Sequence, residues 1–494
     1  MISCTELLVS KSSYALLTAI VLAAHVLTSL SWNTHGQERP ARQLLAGAAT
    51  SNITPPLGEL IVGNWIPVPA SYVHDELYAR CLVLDDGGKR VAIVVVDNVG
   101  IPRRVLDEAK RQVQKHSGIP VERILISSTH THSATTARGS ADWDDPVEPL
   151  APYQAFLATR IADGIRRAVA NLEPARVGWG SGSLPEQVFN RRWFMKPGPH
   201  LNNPFGGTDT VQMNPQVGSP DLLKPAGPTD PEIGFLSVQS TSGRPIALVA
   251  NYSLHYVGGV PNGHVSADYF GIFARRMTQL LARDSHAPPF VPMLSNGTSG
   301  NINNIDFRGG QKRLPNYERM ELVANQVAAE VFKVVQSIEY RESAPLEILQ
   351  RELTLDTRRP NDTLIGWARE ILLRPESAPA RHPRERIYAE RTLRMAKMPP
   401  RLDIPLQAVR IGDLALVAIP FEVFVEMGLE LKAKSPFPDT LAVSLANGAY
   451  GYLPTVAHHE LGGYETWLGT NQVEVQAAPK IVDTLLQMLA QLEK

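Results

Sequence analysis

The sequence predicts an α/β fold, a mixed β-sheet core flanked by helices. Three observations carry that expectation. Short β-branched runs such as RVAIVVVD (90–97) alternate with helical patterns from about residue 46 onward. Paired apolar runs around a tight turn imply hairpins as well as crossovers. The chain of 494 residues is 44% hydrophobic, enough to bury a large core without disulfides.

Taken in order, RVAIVVVD reads as a buried strand, PRRVLDEAKRQVQKH (102–116) as a helix with proline in its first turn, and ERILISS (122–128) as the next strand. YQAFLATRIADGIRRAVANL (153–172) has a strong amphipathic period. EIGFLSVQS and RPIALVANYS form a hairpin turning at Ser242 and Gly243. A further helix is expected over 317–337, followed by strands at LQAVRIG and LALVAIP. Residues 197–231, rich in Pro, Gly and Asn, read as a long loop. The Arg- and Pro-rich stretch 357–402 reads as a surface excursion with helical patches. No internal repeat is visible, so one domain over 46–494 is the simplest parse.

Charge is balanced, with 48 basic and 49 acidic side chains and a net charge of -1. That excludes the concentrated basic field that nucleic acid requires. At the N-terminus, Lys11, the run YALLTAIVLAAHVL and the small residues after it read as a signal peptide over 1–32. A secreted or periplasmic protein with no stable membrane span is the expectation. Of the two cysteines, Cys4 lies in that segment and Cys81 lies in a strand pattern, where it packs as a core residue.

Chemistry concentrates at strand ends. In ISSTHTHSA, His130 and His132 are two apart after a strand and can face one point, which suits a metal such as zinc. His255 ends another strand just before Gly258 and Gly259, which permit close approach of backbone to a ligand. Asp268 reads as a helix-start residue and His264 as a loop residue. LSNGTSGNINNIDF offers backbone N–H groups for an oxyanion. Glu422 is expected to begin a helix after a buried strand, at the positive end of its dipole. Tyr450, Tyr452 and Tyr464 lie in an irregular Gly-rich stretch where large aromatics are commonly structural, and His458 and His459 read as exposed.

These pieces together, GAATSNITPP, SSTHTHSA, FNRRW, the His255 segment, PFEVF and NGAYGYLPT with Tyr464, resemble the neutral/alkaline non-lysosomal ceramidases in the same order along most of the chain. The resemblance implies a ceramidase catalytic-domain-like fold and one zinc per chain, bound by His130, His255, Glu422 and Tyr452. It implies that His132 contacts substrate or moves a proton, and that Arg191 and Tyr464 hold the polarised carbonyl. The substrate class it implies is a small-molecule or lipid-like N-acyl compound such as ceramide, cleaved at its amide bond. At the family's catalytic serine the best register places Asn303; a register with Ser299 needs a deletion. Asn303 implies water at the zinc as nucleophile. The family's C-terminal β-sandwich domain is not expected in the remaining thirty or so residues.

Two rival expectations are kept. One is a two-metal amidohydrolase-type site built from His130, His132, His255, His264 and Asp268. The other is a secreted zinc-binding protein with impaired catalysis, suggested by Asn301 and Asn303.

Overall fold

A computed structural model describes residues 43–63, 65–135, 137, 149–282 and 288–494. The signal-peptide expectation at 1–32 lies outside the described residues. No helix among the described residues is long and apolar enough to cross a membrane.

One topology recurs three times, although no sequence repeat announces it: three antiparallel strands, a crossover helix, a fourth strand parallel to the third, and a closing helix. The first unit comprises β1 (Leu45–Asn52), β2 (Tyr78–Asp85), β3 (Arg90–Val96), α1 (Arg103–Ser117), β4 (Ile124–Ser128) and α2 (Pro152–Ala170). The second comprises β5 (Glu173–Ser183), β6 (Glu232–Ser240), β7 (Pro245–Tyr252), α3 (Asp268–Leu281), β8 (Val291–Asn296) and α4 (Glu318–Val335). In the third, β9 (Leu346–Asp356) leads through the inserted helices α5 (Asp362–Leu373) and α6 (Glu385–Lys397) to β10 (Arg401–Ile411). Then follow β11 (Leu414–Ile419), α7 (Val425–Lys434), β12 (Asp439–Ser444) and α8 (Ala477–Glu493).

The first two units share one eight-stranded sheet in the order β8-β7-β6-β5-β1-β2-β3-β4, joined where Leu45 faces Pro174. The third unit makes a separate sheet, β9-β10-β11-β12. The two sheets stack face to face, and helices cover both outer faces. Alternation along the strands explains this layering: Val409 and Ile411 of β10 join Leu82, Leu84 and Val249 between the sheets, whereas Ile404, Leu406 and Ala408 face α7 and α8. Strands apolar on both faces require cover on both, and each fully buried Val, Leu or Ile contributes about 1.5–3 kcal/mol.

Local signals account for several boundaries. Helix α1 follows Pro102 and stops at Gly118, which takes the left-handed conformation at φ 67°. Cys81 is fully buried against α2. The loop expected over 197–231 is in part ordered as a ribbon, with Val211–Met213 and Leu222–Pro225 flanking Arg192–Met195.

Candidate metal centre

Parallel strand pairs end on the same side, and the three units bring those ends together. His130 lies two residues beyond Ser128, the end of β4. His255 lies three beyond Tyr252 of β7, and Glu422 three beyond Ile419 of β11. Glu422 does not begin the helix, as the sequence suggested. It pairs with Tyr452 in a short parallel ladder, and α7 starts only at Val425 because Phe424 is extended.

The histidine rings converge through one kind of atom. His130 Nε2 lies 3.1 Å from His255 Nε2 and 3.2 Å from His132 Nε2. Each Nδ1 faces a backbone carbonyl: Val99 at 2.6 Å for His130, Gly63 at 2.6 Å for His132, and Ser299 at 3.1 Å for His255. A carbonyl only accepts, so every Nδ1 carries the hydrogen and every Nε2 presents a lone pair. Three lone pairs within hydrogen-bond distance repel unless a cation lies among them. Glu422 Oε2, 3.2 Å from His130 Nε2 and buried without a donor of its own, adds a fourth. Neutral imidazoles oriented by carbonyls beside one carboxylate are a zinc-type donor set, so the residues fit the metal that the resemblance implied.

Electrostatics support the same description. Burial pushes His255 well below the ordinary histidine range, and the Arg191 charge pushes it further. Burial, with His130 beside it, lowers His132 to about 3. Burial alone would raise the Glu422 carboxyl, but a hydrogen bond from the Tyr452 hydroxyl and the Arg191 charge lower it. A metal ion among these donors acts in the same direction. Burial raises the Tyr452 and Tyr464 hydroxyls, so both remain neutral donors in the absence of a cation.

Arg191 is fixed from behind. Its Nε donates to Glu465 Oε1 at 3.0 Å, and Arg192 Nη1 donates to Oε2 of the same carboxylate at 2.6 Å. Arg191 Nη1 reaches within 3.5 Å of His255 Nε2, while its buried Nη2 has no hydrogen-bond partner. Glu465 is fully buried, and the two guanidinium groups on either side of it offset the cost of burying its charge.

These groups line a cavity of about 780 Å³. His130, His132, His255, Arg191, Glu422, Tyr452 and Tyr464 all contribute to its wall. So does the Arg- and Pro-rich segment expected to be a surface excursion: Arg384 and Arg391 face the same space, and Arg384 lies 4.1 Å from the Trp65 ring centre.

Other sequence candidates lie elsewhere. Asn303 is not part of the cavity wall; its amide donates to Asn214, and its carbonyl accepts from Ile305 N. Ser299 Oγ donates to Asn296. In the loop around them, the N–H groups of Gly297, Gly300 and Ile302 are taken up by the carbonyls of Tyr252, Val423 and Ser299. The loop instead positions ligands: Ser299 O orients His255, and Asn301 O receives Arg191 N at 2.9 Å. Asp268, fully buried, accepts the backbone N–H groups of Val257, Gly258 and Tyr269. His264 binds Tyr317. The five-residue two-metal set is therefore not assembled. His458, expected to be exposed, is buried with its ring against Phe424.

Sequence reasoning missed Glu465, Gly63 and Trp65. Glu465 adjoins Tyr464, but nothing local distinguishes it from a solvated acid. Gly63 carried a signal only in retrospect: a Cβ there would lie 1.8 Å from the His132 carbonyl oxygen.

The chain has recognisable relatives. The sequence model of the N-terminal part of the neutral/alkaline non-lysosomal ceramidases matches residues 45–307, just over half of the chain. The neutral ceramidase of Pseudomonas aeruginosa is 24% identical over 305 residues, which are 59% of this chain and 41% of that protein. The chain therefore aligns with less than half of that curated relative's length. The crystal structure of neutral ceramidase from Pseudomonas aeruginosa superposes with a TM-score of 0.67 at 18% identity, over 91% of this chain and 74% of that one. A ceramidase complexed with C2 gives the same score and identity, over 91% and 75%. With its sequence matched from β1 past β8 and its fold shared across all three units, this chain belongs to the neutral/alkaline non-lysosomal ceramidase family.

Proposed function

We propose that this chain is a secreted, zinc-dependent hydrolase that cleaves the amide bond of an N-acyl compound, ceramide or a relative of it. The observation that supports this most directly is the convergence of three Nε2 lone pairs and the Glu422 carboxylate at a cavity wall. His130, His255, Glu422 and Tyr452 would hold one zinc. When bound, zinc supplies a Lewis acid for the amide carbonyl and lowers the pKa of a water toward about 7.

The remaining work falls to this chain's own side chains. Arg191, with a buried and unpartnered Nη2, donates to the carbonyl oxygen as it gains charge. The neutral Tyr464 hydroxyl is a second donor. His132, neutral and held by Gly63 at Nδ1, takes the proton from water at Nε2 and gives it to the leaving nitrogen. Water adds to the carbonyl carbon and the C–N bond breaks, leaving a carboxylate and an amine.

Purified protein should contain one zinc per chain and hydrolyse a panel of N-acyl amides, with activity removed by chelation and restored by zinc. A chain that binds zinc stoichiometrically yet turns over no amide would sink the enzyme reading and leave a zinc-binding protein.

A further inference from the structure

The cavity wall holds more positive charge than an uncharged N-acyl compound would use. Arg384 and Arg391, both half-buried, face the cavity from the segment around α6. Neither has a carboxylate partner among the described residues. Arg384 lies over the Trp65 ring at 4.1 Å, and Arg391 Nη1 donates only to the hydroxyls of Tyr388 at 3.1 Å and Thr470 at 3.0 Å. The acids of the wall are committed elsewhere: Glu422 faces the histidines, and Asp209 accepts from Trp467 Nε1 and Asn203 Nδ2. Leaving two guanidinium groups half-desolvated without counter-charge is costly unless a ligand supplies that charge.

A row of rings connects this pair to the proposed metal centre. Tyr452 and Tyr464 have ring centres 5.6 Å apart, as have Tyr464 and Trp65, and both arginines lie within 5.5 Å of Trp65. The same rim offers apolar surface, since Leu60 and Trp65 line the cavity while staying 46% and 41% exposed.

Resting on the amide-hydrolase reading above, we infer that the substrate is an N-acyl compound bearing an anionic group, a carboxylate or sulfonate, which Arg384 and Arg391 hold. The planar guanidinium fork binds either anion through paired N–H donors. The acyl chain lies on the apolar rim. Within the N-acyl class proposed above, this makes an anionic relative of ceramide the better substrate and uncharged ceramide itself the poorer one.

The probes are N-decanoylglycine, N-decanoyltaurine and the uncharged N-decanoylglycinamide, titrated calorimetrically into the full chain both zinc-loaded and after chelation. An anionic probe should bind about tenfold or more tightly than the amide without zinc, since a charged hydrogen-bonded pair is worth that much. The gap should narrow at high salt. The double variant R384Q/R391Q should bring the probes close to parity while its circular dichroism and zinc content stay those of the parent. Equal binding of all three probes, or a gap that survives the double variant, overturns the inference. Discrimination without hydrolysis of any probe keeps the anion site and removes the hydrolase reading; hydrolysis without discrimination does the reverse. The order of the two anionic probes identifies which class the site takes.

Discussion

His255 and Glu422 stand at equivalent points of successive units, three residues beyond Tyr252 and three beyond Ile419, with Nε2 and Oε2 3.9 Å apart. Each follows the third strand of its unit, at the opening that a parallel crossover leaves. In the first unit that place belongs to Val99, three beyond Val96, whose carbonyl orients His130. One topological position thus serves as imidazole, as carboxylate and as backbone acceptor around a single point.

Metal content is the first test of that arrangement. Zinc at a hundredfold over its Kd should stabilise the fold by about 2.7 kcal/mol. His255→Ala should abolish both the bound zinc and the thermal shift. His132→Ala should keep one zinc per chain and lose about a hundredfold in kcat, as expected of a proton carrier; loss of the metal instead would make His132 a ligand.

Gly63→Ala probes the same histidine without changing its side chain. The added Cβ meets the His132 carbonyl at 1.8 Å, so the two backbones must separate and the Gly63 O to His132 Nδ1 bond must lengthen. Turnover should fall by about tenfold or more with zinc content intact. Unchanged kinetics would show that His132 needs no anchor there.

Glu465→Gln removes the charge shared by Arg191 and Arg192. Two buried guanidinium groups then lack their counter-ion, and denaturant unfolding should show a loss of about 3 kcal/mol. Arg191 would also lose its fixed orientation, so kcat/KM should drop more than the folded fraction does.

Acid sensitivity should be traceable to His458. Burial first, and then the Arg192 charge, lowers it from 6.5 to about 4. The folded state therefore binds fewer protons than the unfolded state between those values. Its stabilising contribution is complete above pH 6.5 and falls as pH drops toward 4. His458→Gln should reduce the slope of stability against pH in that window by up to one proton, about 1.4 kcal/mol per pH unit. An unaltered slope in urea titrations would contradict this.

Asn303→Ser should leave turnover unchanged. The side chain binds Asn214 and Ile305 rather than the cavity, so a hydroxyl there has no substrate to attack. A gain of activity would place residue 303 in the reaction after all.

Element types were legible because they depend on near neighbours. The alternating faces of β10, the amphipathic period of α2, the turn at Ser242 and Gly243 and the stop at Gly118 are each written within a dozen residues. The location of His130 and His255 at strand ends could be read in the same way. Their approach to 3.1 Å could not, because 125 residues separate them and only the crossover topology closes that gap. The threefold recurrence of units was equally hidden, since strand and helix order repeats while the residues do not. The burial of Glu465 and His458, the place of Arg384 and Arg391 on the cavity wall and the withdrawal of Asn303 from it are likewise tertiary results. Exposure and partners of a polar side chain are decided by which distant segment packs against it, and no local pattern carries that information.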